Sequence, residues 1–128
     1  MPAMMNHKTP PATPSAVDRV MVRLNVVLRP AARGAQDFLA AFRFLMIDTR
    51  LESGCLGCSA WADQDGTVHY VEEWATDVDM RRRLRSNRFT SLLAVLESAH
   101  EPPCVQFDFV TTTRGLDYVA EVRRDVIN

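Results

Sequence analysis

No apolar run in this chain approaches the ~20 residues needed to cross a bilayer, and the amino terminus lacks the hydrophobic segment of a secretory signal. Charge of one sign is also missing. Fifteen basic and sixteen acidic residues leave a formal net charge of -1, so nothing electrostatic draws the chain to nucleic acid or an anionic membrane. A lysine cluster, a Gly-rich phosphate loop, an aromatic RNA platform and a dinucleotide fingerprint are all absent, which removes the usual apparatus for nucleotides, flavins and nicotinamides. The expectation is a soluble, cytoplasmic protein with no nucleic-acid or membrane partner.

Cysteine is scarce and odd in number: Cys55, Cys58 and Cys104 suit a reducing compartment better than a disulfide framework. Cys55 and Cys58 have the spacing of a metal knuckle or a redox pair. Zinc takes about four ligands, and only Cys104 and His69 remain to supply them. Residues three apart on a strand also point to opposite faces. No metal is expected, and the pair reads as small strand residues, Cys58 buried and Cys55 at the strand mouth.

What is present is one domain, 47% hydrophobic over 128 residues, large enough for a real core. Residues 1–16 carry four prolines and few bulky apolar side chains, so they read as a disordered leader. The domain proper is placed at 17–112, with a helical extension at 113–128 suggested by Leu116, Val119, Ala120 and Val122 or Arg123.

Within the domain, Asp18 to Arg29 alternates with Val20, Val22, Leu24, Val26 and Leu28 on one face, a strand ended by Pro30. Phe38, Phe42 and Leu45 then fall at helical spacing in a long helix from about Ala35 to Leu51, stopped at Ser53 and Gly54. A second strand from about Leu56 to Ala62 turns through Asp63 to Gly66 into a third from Thr67 to Trp74, forming a hairpin. Thr76 and Asp79 open a helix in capping-box style. After Leu84-Arg85-Ser86-Asn87-Arg88-Phe89, a packed helix carries Phe89, Leu92, Leu93 and Leu96. Glu101-Pro102-Pro103 breaks the pattern before a fourth strand, where Val105, Phe107 and Phe109 alternate with Gln106 and Asp108. The order is βαββαβ, an α+β ferredoxin-like fold: a four-stranded antiparallel sheet with both helices on one face.

The strand ending in Glu72-Glu73-Trp74, the acidic turn at Asp77, the Leu84-to-Phe89 run and the upstream Gly54-Cys55-Leu56-Gly57 together resemble the antibiotic biosynthesis monooxygenase family over about residues 19–110. The resemblance implies a homodimer in which two sheets close into a dimeric α+β barrel. It further implies a pocket between sheet and helices, and a monooxygenase without metal or bound cofactor acting on a small aromatic or quinol-like substrate. A non-catalytic dimeric barrel binding a hydrophobic small molecule is the alternative. A haem-binding or haem-degrading member is the third reading. Against the third, the helix position where members carry histidine or tryptophan is Arg83, and Leu93 stands where haem binders have their histidine ligand.

Tyr70, Glu72 and Trp74 share one strand face and, with Arg83, are the candidate catalytic residues. Phe38, Phe42, Phe89 and Leu93 are the candidate pocket lining. Glu72, if inside, needs a partner such as Arg83 or Tyr70 and would then suit a general base. Buried carboxylates are scarce, so the favoured reading has a twist or bulge turning Glu72 and Glu73 to solvent. Arg81, Arg82, Arg83, Arg85 and Arg88, with acidic neighbours close by, read as a solvated, salt-bridged helix face. The opposite sheet face gathers Arg23, Asn25, His69, Gln106 and Asp108, expected to form a polar network at the dimer interface with Arg23 and Asp108 as its charge pair.

Overall fold

The computed structural model describes residues 20–127; the leader expected at 1–16 lies outside them. Its elements are β1 (Met21–Leu28), α1 (Ala35–Thr49), β2 (Cys55–Ala62), β3 (Val68–Trp74), α2 (Asp77–Arg85), α3 (Asn87–Glu97), β4 (Cys104–Val110) and α4 (Leu116–Ile127). The sheet order is β2-β3-β1-β4 with every neighbouring pair antiparallel. This is the ferredoxin-like arrangement expected, with its second helix broken in two.

Ser86 makes the break. Its hydroxyl accepts from the Phe89 amide at 3.3 Å as the N-cap of α3 and donates to the Arg83 carbonyl at 2.7 Å. One side chain thus satisfies orphan groups of two helix ends. Thr76 caps α2 by accepting from the Asp79 amide at 3.1 Å, as the capping pattern predicts. Gly54, with φ +87°, enters β2 where a Cβ would overlap the Asp79 carboxylate, so it is glycine for both conformation and space.

Alternation along β1 and β3 sends Val22, Leu24, Val26, Leu28, Val68, Tyr70 and Trp74 towards the helices, where they pack on Leu39, Phe42 and Met46 of α1 and on Met80, Phe89, Leu92 and Leu96. β2 departs from strict alternation. A bulge between Cys55 and Gly57 shifts the register, so that Cys55 pairs with Trp74 and Cys58 with Glu72. Both thiols therefore lie on the helix side, which corrects the expectation of opposite faces; an inserted residue resets strand parity. Both are half-buried, and burial pushes the Cys58 thiol up to about 11. A thiol held neutral is a poor nucleophile.

The helices leave part of the sheet uncovered. Through the β1–β4 register, Phe107 and Phe109 sit opposite Leu24 and Val22, on the helix side. They remain substantially exposed, as does Val105, because α2 is short and strongly charged. Among the described residues, no helix is long and apolar enough to cross a membrane.

Candidate functional site

The four residues marked as catalytic come together, but inside the core. β3 runs without a bulge through Glu72, so parity holds and Tyr70, Glu72 and Trp74 all point inward. Glu72 is 0% exposed and Arg83 1%. The favoured solvent-facing reading of Glu72 is overturned: the bulge lies on β2, and a cation from α2 offsets the burial. Glu73 alone turns to the other face, half-exposed.

Every acceptor position of Glu72 is in use. Oε1 accepts from Trp74 Nε1 at 2.9 Å and Arg83 Nε at 3.1 Å, while Oε2 accepts from Tyr70 Oη at 2.5 Å and Arg83 Nη2 at 2.8 Å. Four donors match the roughly four lone-pair sites of a carboxylate. Arg83 extends the network to Glu52 at 3.0 Å and Thr49 at 3.3 Å, and its guanidinium lies over the rings of Trp74 and Phe89. Burial, the Glu72 charge and its hydrogen bond hold the Tyr70 phenol far above its ordinary range. Burial opposes the Arg83 charge, but hydrogen bonding and attraction from Glu72 outweigh it and raise its pKa. Among the described residues no buried side-chain polar atom lacks a partner. A carboxylate this saturated has no lone pair free for a substrate proton, and the group shows no surface to solvent.

The expected pocket residues separate. Phe42 is fully buried and stacks on Tyr70 at 4.8 Å between centroids, and Phe89 is buried beneath Arg83. Phe38 faces a different place, a groove of about 310 Å³ between α1 and α3 with Asp37, Ala41, Val95 and Ser98. Leu93 does not join the core at all. It is 42% exposed because the buried stripe of α3 runs Phe89, Leu92, Leu96, and Leu93 falls off its edge.

The polar face opposite the helices also regroups. Arg23 lies between Glu73 of β3 and Asp108 of β4 in the register, and it pairs with Glu73 at 2.8 Å rather than with Asp108. Asp108 instead accepts from Asn25 and from Gln106, each at 2.8 Å. His69 pairs with Asp63 at 2.8 Å and stacks on Trp61 at 5.0 Å. Glu73, Asp63 and Trp61 are the partners that sequence reasoning missed, although cross-strand position on the hairpin marks Trp61 and Glu73.

The arginine row behaves as expected except at Arg83. Arg81 pairs with Asp77 across one helical turn at 2.8 Å, and Arg82 pairs with Asp79.

A solvent-reaching apolar cleft lies where no residue was nominated. Met80 and Leu84 of α2 face Phe107 and Phe109 of β4 across about 270 Å³, with the Asp77–Arg81 ion pair at its rim. The signal was available: three large apolar side chains on one face of an end strand, and only a short, arginine-rich helix to cover them. Two aromatic rings, a thioether and an isobutyl group suit a flat apolar ligand, and the rim carboxylate and guanidinium suit a hydroxyl on it. Among the described residues there is no group of three His, Cys, Asp or Glu side chains that could hold a metal ion.

Comparison with known proteins agrees with this architecture. A candidate antibiotic biosynthesis monooxygenase from Caulobacter crescentus is 16% identical with a TM-score of 0.63, the match covering 77% of this chain and 94% of that one. Rv0793 from Mycobacterium tuberculosis is 16% identical with a TM-score of 0.63, covering 74% and 99%. A conserved protein from Methanosarcina mazei gives 16%, 0.63, 73% and 95%. At such identity these likenesses speak for the fold. A comparison with curated protein sequences finds no match. The sequence model of the antibiotic biosynthesis monooxygenase family matches residues 21–95, more than half of the chain. With β1, β2, β3 and the strand-to-helix passage through Trp74 and Asp77 inside that match, the chain belongs to the antibiotic biosynthesis monooxygenase family.

Proposed function

We propose that this protein binds a small planar hydrophobic or phenolic molecule in the α2–β4 cleft, as a homodimer assembled through the helix-free sheet face. The observation that carries the reading is the contrast between two sites. The Tyr70–Glu72–Trp74–Arg83 cluster is sealed and saturated, whereas the Met80, Leu84, Phe107 and Phe109 cleft is apolar and reaches solvent.

Family membership favours a second reading, oxygenation of that ligand without metal or flavin. Asp77, at the rim and held by Arg81, would take the phenolic proton. The electron-rich anion would then react with dioxygen, the substrate supplying the electrons.

The test is titration with 1-naphthol, followed by calorimetry, and oxygen uptake with naphthohydroquinone above its uncatalysed rate. Saturable binding without uptake supports the binding reading. Uptake abolished by Asp77→Asn supports the oxygenase. Neither binding nor uptake with any of a panel of bicyclic and tricyclic phenols would sink both.

A further inference from the structure

We infer that the cavity between α1 and β2 binds a small oxyanion, a carboxylate or phosphate group on a short apolar body. It lies at the margin of the sheet opposite the α2–β4 cleft, and nothing in it rests on the phenol reading.

The site starts from the spacing of two arginines. Arg43 lies within α1, and Arg50, seven residues on, is its C-cap. At about 100° per residue the two fall within about 20° of each other, two turns apart on one flank of the helix. With Met46, Ser59 and Ala60 they line a cavity of about 380 Å³. Small-molecule sites commonly run to ~300–1,000 Å³.

The cavity holds positive charge with nothing beside it to balance that charge. No carboxylate lines it. Asp37 and Asp48, the acids of α1, lie about 120–160° round the helix from the two arginines, and Glu52 is taken by Arg83 at 3.0 Å. Among the described residues the Arg43 side chain has no ion pair and no hydrogen bond. A guanidinium keeps its charge at every ordinary pH, so an anion entering here meets two fixed cations and no competitor.

The strand adds a backbone donor. β2 is outermost and pairs only with β3. Arg50 Nη2 donates to the Cys58 carbonyl at 3.1 Å, so Cys58 turns its backbone groups away from β3. Antiparallel pairing repeats every two residues, and the register is unbroken from Gly57 to Ala62. The Ala60 N–H therefore opens on the same margin, in the wall of the cavity. The bond to Cys58 also steadies the Arg50 guanidinium while using one of its five N–H donors.

These groups define the ligand's chemistry. Two planar guanidiniums and an amide are donors only, which suits the paired oxygens of a carboxylate or phosphate and gives a neutral molecule little. Met46 and the Ala60 methyl offer a small apolar patch for the body that carries the anion. Arg50 already bridges α1 and β2, so an occupied site clamps the end of the helix to the sheet margin and raises the melting temperature.

The experiment titrates the full-length chain with sodium benzoate and with inorganic phosphate, taking benzamide as the neutral control, and follows backbone amide shifts by NMR. Ionic strength is held constant, since salt screens exposed charges. At least one anion should saturate with its largest shifts around Ala60, and benzamide should not. Arg43→Gln and Arg50→Gln should each weaken that anion about fivefold or more. Because the Arg43 side chain contacts no other charge or hydrogen-bonding group, its variant keeps the fold whatever Arg50→Gln does. Phe107→Ser should leave the affinity unchanged, which separates this site from the phenol cleft. Benzoate alone marks a carboxylate ligand, phosphate alone a phosphoryl one, and both the shared oxyanion chemistry. No saturation by either anion below about 10 mM, equal binding of benzamide, affinity that survives Arg43→Gln, or affinity lost in Phe107→Ser each overturns the proposal.

Discussion

Arg83 meets Glu72 through two parallel hydrogen bonds, Nε to Oε1 at 3.1 Å and Nη2 to Oε2 at 2.8 Å, with both side chains out of solvent. This fork ties α2 to the middle of β3. Its geometry matches the bidentate pairing in which arginine is not replaceable by lysine.

Glu72→Gln is accordingly expected to destabilise the fold by about 3–5 kcal/mol, the range for leaving one buried charge without its partner. Urea denaturation measures it. The double variant Glu72→Leu with Arg83→Met should cost less than the sum of its two single changes, since neither charge is then stranded. Additive losses would show that the fork contributes no coupling.

Stability should fall on the alkaline side. Burial raises Cys58 from 9.0 to about 11, and Tyr70 is raised by burial and by Glu72. In both cases folding favours the protonated, neutral form. The stabilisation is complete below the ordinary thiol value and is lost as pH rises through about 11. Thermal melts from pH 8 to 11 should show the decline, and Cys58→Ala should make it shallower between pH 9 and 11. An unchanged slope in that variant refutes the assignment.

Gly54 and Gly66 provide a matched pair, both with φ +87°. A methyl group at Gly54 would run into Asp79, whereas at Gly66 it would meet nothing within 4 Å. Gly54→Ala should cost about 1–3 kcal/mol, clearly more than Gly66→Ala, in parallel thermal melts. Equal losses would mean that backbone conformation alone sets the penalty.

Much of this was readable from residue spacing. Alternation placed β1 and β4 and the inward side of β1, and the capping residue Thr76 located the start of α2, whereas the bulge in β2 left its parity unread. Glu72 was misjudged because the general rarity of buried carboxylates was allowed to outweigh an unbroken strand parity, and the compensating cation sits eleven residues away on a helix whose rotation no local pattern specifies. Leu93 failed for a related reason, since the width of a buried helical stripe depends on what packs against it. The cleft went unnoticed because Phe107 and Phe109 alternate like core residues, and only three-dimensional coverage shows that α2 is too short to hide them.

For the ligand, Phe107→Ser is expected to weaken 1-naphthol binding about tenfold or more, with little change in melting temperature because Phe107 is already part-exposed. Tyr70→Phe should do the reverse, lowering stability by about 1–3 kcal/mol through an unsatisfied Glu72 acceptor and leaving affinity alone. Affinity lost in Tyr70→Phe but kept in Phe107→Ser would return the site to the core cluster.

Assembly is a hypothesis motivated by the half-buried polar groups on the helix-free face. Light scattering at micromolar concentration should give twice the chain's 14.4 kDa, and Arg23→Glu, which sets like charges beside Glu73 and Asp108, should lower that mass. A stable monomer in wild type would contradict it.

The bulge at Leu56 bears on a hazard that every open sheet carries. β2 and β4 are the outermost strands, each with a row of backbone groups that a foreign strand could zip onto. The extra residue in β2 interrupts that row and twists it, blunting one margin against runaway strand addition. β4 has no such interruption in its register with β1, so self-association at high concentration should begin along Cys104–Val110.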